Sequence, residues 1–244
     1  MSLAASIQGA LGRYRESRLE RHLGGVDVLH VQGVELNVTG LSISMKKLLI
    51  SGGFEKAETE VARSLVQPGD RILDLGAGLG FVGLYAMKFL AAAQITAVEA
   101  NPNTFELLKD NYGRNKVSAD FVHAAAGSVD GTLRLSISGD FWEDRVADGE
   151  RGATGDVREV PAVSFETLFK QYGNRMDVLM MDIEGAEVGA VHTTIPGGVR
   201  SVIIEIHPDL LSKEQVGDVT NWLVRQGYRL VNSWGRVLGF EREQ

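Results

Sequence analysis

Short apolar runs alternate with amphipathic stretches along most of this chain. Residues 71–75, 94–99, 120–124, 177–182 and 201–206 are runs of five or six mostly apolar residues, the length of buried strands. Between them, helical spacing predicts helices over 80–92, 102–113, about 184–192 and 212–226. Pro102 sits where a helix accepts proline in its first turn. Upstream, a helix begins at Gly52-Gly53 and carries its stripe through Ala57, Val61, Ala62 and Leu65, until Pro68-Gly69-Asp70 ends it. Residues 26–38 alternate around Gly33 and predict a β-hairpin. Residues 5–22 form a polar helical arm, either a solvated cover or a lid or dimer contact. Residues 228–240 predict two strands turning near Trp234-Gly235. Residues 138–159 predict a long loop, or a polar hairpin leading into 157–163.

Strands alternating with helices indicate βαβ units and a mostly parallel sheet with helices on both faces. The expected fold is α/β: a doubly wound, Rossmann-like sheet with an antiparallel strand pair at its C-terminal end. Residues 1–50 are expected to be a helical arm and β-hairpin packed on a main domain of 51–244.

Composition changes this picture little. The net charge of −7 argues against nucleic acid as the main partner. The absence of cysteine excludes disulfides and thiolate chemistry. No apolar stretch is long enough to cross a membrane, and the first residues lack the form of a signal peptide. A transit peptide is the alternative for that segment; a cytoplasmic protein without a membrane partner is the expectation. A homodimer is compatible with the arm.

The most informative segment is Asp74-Leu75-Gly76-Ala77-Gly78-Leu79-Gly80, which follows a strand and opens a helix. Such a turn lies at the carboxyl edge of an open sheet, where ligands bind. Glu99 ends the second strand nineteen residues after Gly80, placed to accept hydrogen bonds from both hydroxyls of a ribose. A nicotinamide cofactor is the competing reading, but its third glycine would fall at Phe81. A pyrophosphate also wants a helix N-terminus without a carboxylate nearby, whereas Asp74 suits the ammonium and sulfonium of S-adenosylmethionine. Small residues after the third strand, such as Ala125, would let an adenine lie against the chain. His123 reads as a packed strand residue, and His22, His30 and His192 as surface or packing residues.

Asp182, Glu184 and Glu187 follow the fourth strand in Asp-Ile-Glu-Gly-Ala-Glu. Glu187 fits a helix N-terminal charge; Asp182 and Glu184 sit where a sheet places chemistry. Glu205 and His207 end the fifth strand. Asp182, Glu184, Glu205 and His207 could converge on magnesium or calcium, but the spacing is not specific, and no metal is assigned.

These residues resemble the FkbM-type methyltransferases. The likeness runs through Gly52-Gly53-Phe54-Glu55, the segment 69–80, Val98-Glu99-Ala100-Asn101-Pro102, the block 182–187 and Ile203-Ile204-Glu205-Ile206. It implies a class I methyltransferase fold, S-adenosylmethionine as cofactor and, most often, transfer to oxygen. It implies cofactor roles for Glu99 and the glycines and active-site roles for Asp182 and Glu184. Two positions depart from the family pattern, Gly78 for an Asn and Met180 for a Lys. The candidate cofactor set is Glu55, Asp74, Gly76, Ala77, Gly78, Gly80, Glu99, Ala100, Asn101, Ala125 and Asp182. The candidate catalytic set is Asp182, Glu184 and His207, with His207 first as base.

The expected reaction is O-methylation of a small-molecule or glycan acceptor. An N-methyltransferase, a non-catalytic cofactor-binding module and a nicotinamide-dependent dehydrogenase are the alternatives. Orientation of the reactants contributes roughly 7–11 kcal/mol, against about 3–5 kcal/mol for a general base.

Overall fold

The computed structural model describes residues 17–137, 145–146 and 156–243. The chain divides into two compact units, Met1–Phe54 and Glu55–Gln244. Residues 5–16 of the expected arm lie outside the described residues.

In the first unit residues 17–24 are helical. β1 (Val28–Val31) and β2 (Val34–Asn37) pair antiparallel. Their turn, Gln32-Gly33, has φ of 47° and 83°, the hand that matches the twist of the flanking strands. α1 (Ile43–Ser51) follows, capped by Ser42, whose hydroxyl accepts the Met45 N–H at 3.0 Å. The sequence pattern predicts no helix over 43–51 and starts the next one at Gly52; Gly52, at φ 70°, instead ends α1. Lys46 is buried and donates from Nζ to the carbonyls of Leu23 and Val26, at 3.2 and 2.7 Å.

The second unit begins with α2 (Lys56–Leu65), β3 (Arg71–Leu75), α3 (Phe81–Phe89), β4 (Gln94–Glu99), α4 (Pro102–Arg114) and β5 (Asp120–His123). A smaller insertion follows: β6 (Ala125–Gly127), β7 (Gly131–Ile137), β8 (Arg145–Val146) and β9 (Asp156–Ser164). The chain then returns through α5 (Phe165–Tyr172), β10 (Val178–Met181), β11 (Ser201–Glu205), α6 (Lys213–Arg225), β12 (Tyr228–Trp234) and β13 (Val237–Arg242).

The main sheet has the order β12-β13-β11-β10-β3-β4-β5. The run from β11 to β5 is parallel, and β13 and β12 pair antiparallel at one end, as the alternating pattern predicts. The chain builds outward from β3 to β5, then resumes on the other side at β10. The crevice between β3 and β10 is therefore the topological switch point.

Period-two alternation divides the sheet's faces. Leu73, Leu75, Leu179, Met181, Val202 and Ile204 join Phe165, Leu168, Val219, Trp222 and Leu223 of α5 and α6 in one core. The register sets Asp74, Met180 and Ile203 side by side in the intervening row, which faces away from that core. On β13, a side chain at Gly239 would strike Val61 and Leu65 of α2, so only glycine lets that helix lie so close.

Two expectations are corrected. The helix expected over 184–192 is a short 3-10 segment, Ala186–Ala190, because Glu184 and Gly185 enter it at φ 50° and 91° and no amphipathic stripe sustains more turns. The third strand ends at His123, and the small residues after it form β6 in a second sheet ordered β6-β9-β7-β8. The polar segment 157–163 belongs to β9, paired antiparallel with β7. Residues 138–144 and 147–155 of the expected loop lie outside the described residues.

Candidate active site

Four strand ends build the site. β3 runs into the glycine turn, whose backbone is stapled to β4: Gly76 and Ala77 both donate to the Val98 carbonyl, at 2.9 and 3.0 Å. On its other side Asp182 donates to the Leu75 carbonyl at 2.9 Å. Any Cβ at Gly76 would run into the Asp182 carbonyl, and the residue has φ 80°. Gly80 has φ 78°, and a Cβ there would lie 2.6 Å from Leu108 and Tyr112. These glycines let the turn pass between two strand ends and meet α4.

Glu99 ends β4 and is almost fully buried. Its Oε2 accepts the Gly78 N–H at 2.9 Å, and its Oε1 accepts the Asn101 N–H at 2.7 Å. The carboxylate thus fixes the glycine turn, a role the sequence reading did not foresee. A carboxylate oxygen accepts more than one hydrogen bond, so this anchoring is compatible with holding a ribose. Asn101 caps α4, its side chain accepting the Asn103 N–H at 2.8 Å. Ala100 packs against a buried cluster of Ala125, Leu135, Ile137 and Val160. His123 contacts the Ala100 carbonyl at 3.2 Å and stacks on Phe105.

A small cleft opens over the Asp74 row, lined by Glu55, Glu58, Asp74, Gly76, Asp182 and Glu205 among others. Burial pushes the Asp74 carboxyl up to about 7. Burial and the neighbouring charges of Glu58, Asp182 and Asp74 raise Glu55 well above its ordinary value. Glu55 has φ 45°, and its buried Oε2 has no hydrogen-bond partner. Glu55 and Glu184 are both non-glycine residues in the left-handed region, a costly conformation that clusters at functional sites.

The second half of the site surrounds His207. Its Nδ1 donates to Glu187 Oε1 at 2.7 Å. Its Nε2 faces Glu184 Oε2, Asp182 Oδ1 and Glu205 Oε1 at 3.4, 3.5 and 3.9 Å. Asp182 keeps 38% of its side-chain surface exposed while its Oδ1 is buried, so the residue spans the interior and the cleft. Glu187 is fully buried; it is an interior partner of His207, not a surface charge at a helix start.

Burial alone would lower the His207 imidazole, but the Glu187 hydrogen bond and the charges of Glu184 and Asp182 push it up to about 9. A ring raised in this way holds its proton more tightly, which counts against His207 as the first candidate for the base. Burial pushes Glu184 up to about 7. Burial and a hydrogen bond with Glu58 do the same for Glu205. Sequence reasoning missed Glu58, which lies in the first turn of α2 and lines the same cleft as Glu55. It also missed Tyr112, whose buried hydroxyl would be struck by any side chain at Gly83.

The Methyltransferase FkbM domain matches residues 74–230, which includes every one of these strand ends. The chain belongs to the FkbM methyltransferase family. As a member of that family it takes S-adenosylmethionine as cofactor. The residues fit such a group: Asp74 and the unpartnered oxygen of Glu55 offer acceptors to a cationic ligand. The glycine turn leaves no side chain in its way.

The FkbM-domain chain is 31% identical over 146 residues to the ribosomal protein L11 methyltransferase of Chloroflexus aurantiacus, covering 54% of this chain and 44% of that protein. It is 39% identical over 56 residues to the corresponding methyltransferase of Symbiobacterium thermophilum, 23% of this chain and 18% of that one. The chain thus spans less than half the length of these curated relatives. Among solved structures, a Pyrococcus horikoshii protein provisionally described as a transferase superposes with a TM-score of 0.53 at 15% identity, covering 89% of this chain and 72% of that one. That likeness concerns the fold.

Proposed function

We propose that this FkbM-domain protein transfers a methyl group from S-adenosylmethionine to a hydroxyl of a small molecule or glycan. The observation that supports this most is the cleft over Asp74, closed by Glu55 and Asp182 and bordered by the Glu184–His207 cluster. The cofactor, when bound, supplies an already activated methyl group, so the protein's task is alignment. Glu99 holds the ribose and the glycine turn together. Asp74 and Glu55 receive the cationic end of the ligand. Asp182 reaches both the cleft and His207, and so orients the reacting groups.

Glu184 is proposed as the proton acceptor for the hydroxyl, since its carboxyl titrates near neutrality and keeps 26% of its surface exposed. His207, whose Nε2 lies 3.4 and 3.5 Å from Glu184 and Asp182, holds those carboxylates in place. An amine acceptor fits less well, because surrounding carboxylates favour its protonated, unreactive form.

The test is release of S-adenosylhomocysteine from the purified chain with a panel of hydroxylated small molecules and glycans, followed by mass location of the new methyl. Oxygen methylation is expected. The curated relatives favour a second reading, a protein acceptor. Methylation of ribosomal protein L11 with no turnover on any hydroxyl compound would replace the first reading with the second.

A further inference from the structure

We propose that the chain binds one divalent cation between Asp182, Glu205 and His207. The site is argued from side-chain geometry and does not depend on the proposed methyl transfer. Met181 and Ile204 are paired in register across β10 and β11, so Asp182 and Glu205 fall in the next row at the same sheet edge. His207 follows two residues on. One ligand atom from each of the three lies within 4.8 Å of the other two.

The spacings suit a shared ion. Adjacent donors around a six-coordinate cation, each about 2.1–2.5 Å from it, stand roughly 3.0–3.5 Å apart. His207 Nε2 lies 3.5 Å from Asp182 Oδ1 and 3.9 Å from Glu205 Oε1. Those separations exceed a good hydrogen bond and close readily onto a common centre. Glu184 Oε2, 3.4 Å from Nε2, adds a fourth donor beside the three.

Two observations beyond the acidity of the cluster point to an ion. Asp182 Oδ1 is buried next to Nε2 and no hydrogen-bond donor satisfies it. Glu187, fully buried, takes Nδ1 of His207 and leaves only Nε2 to face the cluster. A carboxylate on the far nitrogen is the arrangement that fixes the orientation of a metal-ligating imidazole. The charge count agrees, since four carboxylates surround one imidazole. Oxygen donors suit magnesium, calcium and manganese, while imidazole suits first-row transition metals. Manganese satisfies both preferences and is the probe of choice.

The 244-residue chain, stripped with a chelator, is titrated with Mn²⁺ alone, by calorimetry and by the magnetic-resonance signal of the free ion. One ion per chain is expected in the wild type. Glu205→Gln and His207→Ala are expected to weaken binding at least tenfold, and Glu187→Gln roughly ten- to hundredfold through the lost brace. Glu166→Gln, on an exposed position of α5, leaves affinity unchanged. Circular dichroism reports whether each variant is folded. A wild-type chain that takes up no stoichiometric Mn²⁺ overturns the proposal whatever the variants do. So does binding that survives undiminished in folded His207→Ala and Glu205→Gln.

Discussion

Glu187 and His207, twenty residues apart in the chain, are joined by a 2.7 Å hydrogen bond between Oε1 and Nδ1 while both are buried. The bond ties the 3-10 segment after β10 to the end of β11 and fixes which ring nitrogen faces Asp182 and Glu184. Glu187→Ala would strand a buried imidazole N–H. The expected loss is about 2–4 kcal/mol of unfolding free energy, read from urea denaturation. Glu187→Gln keeps a carbonyl acceptor and should cost less. Equal losses in the two variants would mean that packing, not this bond, is what Glu187 supplies.

Gly76→Ala is expected to be among the most damaging single changes in the chain. The new methyl would occupy the space of the Asp182 carbonyl, and the backbone would have to hold φ 80° with a side chain. Backbone cannot yield as a flexible side chain can, so the strain displaces the ends of β3 and β10 together. A loss of at least about 3 kcal/mol is expected, seen as a lowered midpoint in thermal or urea unfolding. A variant as stable as the wild type would show that the ends of β3 and β10 accommodate a side chain at this position.

Glu99→Gln separates two jobs of one carboxylate. The amide keeps one acceptor oxygen but turns an NH2 toward a backbone N–H that Glu99 now satisfies, at Gly78 or Asn101. The glycine turn should loosen while the sheet stays folded. Affinity for S-adenosylhomocysteine is expected to fall at least tenfold by calorimetry, about 1.4 kcal/mol, with an unchanged circular dichroism spectrum. Full affinity in the variant would remove Glu99 from the ribose site.

Asp74 makes stability depend on pH in a defined direction. Its carboxyl is pushed up to about 7 by burial, so the folded chain holds that proton more tightly than the unfolded chain. This contribution is complete below about pH 4 and is lost as pH rises toward 7. Asp74→Asn carries no such group. Its stability relative to wild type should therefore improve between pH 5 and pH 8, by about 2.6 kcal/mol at most. Urea midpoints of both proteins at the two pH values measure this. A relative stability that falls with rising pH would mean that Asp74 is stabilised as the anion.

The apolar periodicity alone placed β3, β4, β5, β10 and β11 and the paired strands β12 and β13, because each core strand is a short apolar run bounded by turn residues. It also placed Asp74, Glu99, Asp182 and Glu205 at carboxyl strand ends, since chain order and strand direction follow from βαβ connectivity. Helix α1 and strands β6 and β7 escaped it. α1 carries too short a stripe, and β6 is three small residues with no periodicity.

What the sequence by itself determined is the order of elements and the chemistry available at the sheet's edge. Which groups touch was decided only by the tertiary structure. Glu187 looks like any acid at a helix start until a left-handed turn at Glu184 and Gly185 carries it inward against His207. Glu99 looks like a ribose acceptor until the stapled turn brings the Gly78 N–H to it. The upward shifts of Asp74, Glu184 and His207 arise in the same way. Hydrophobic pattern is a property of neighbours along the chain, whereas desolvation and hydrogen bonding depend on groups brought together from β3, β10 and β11.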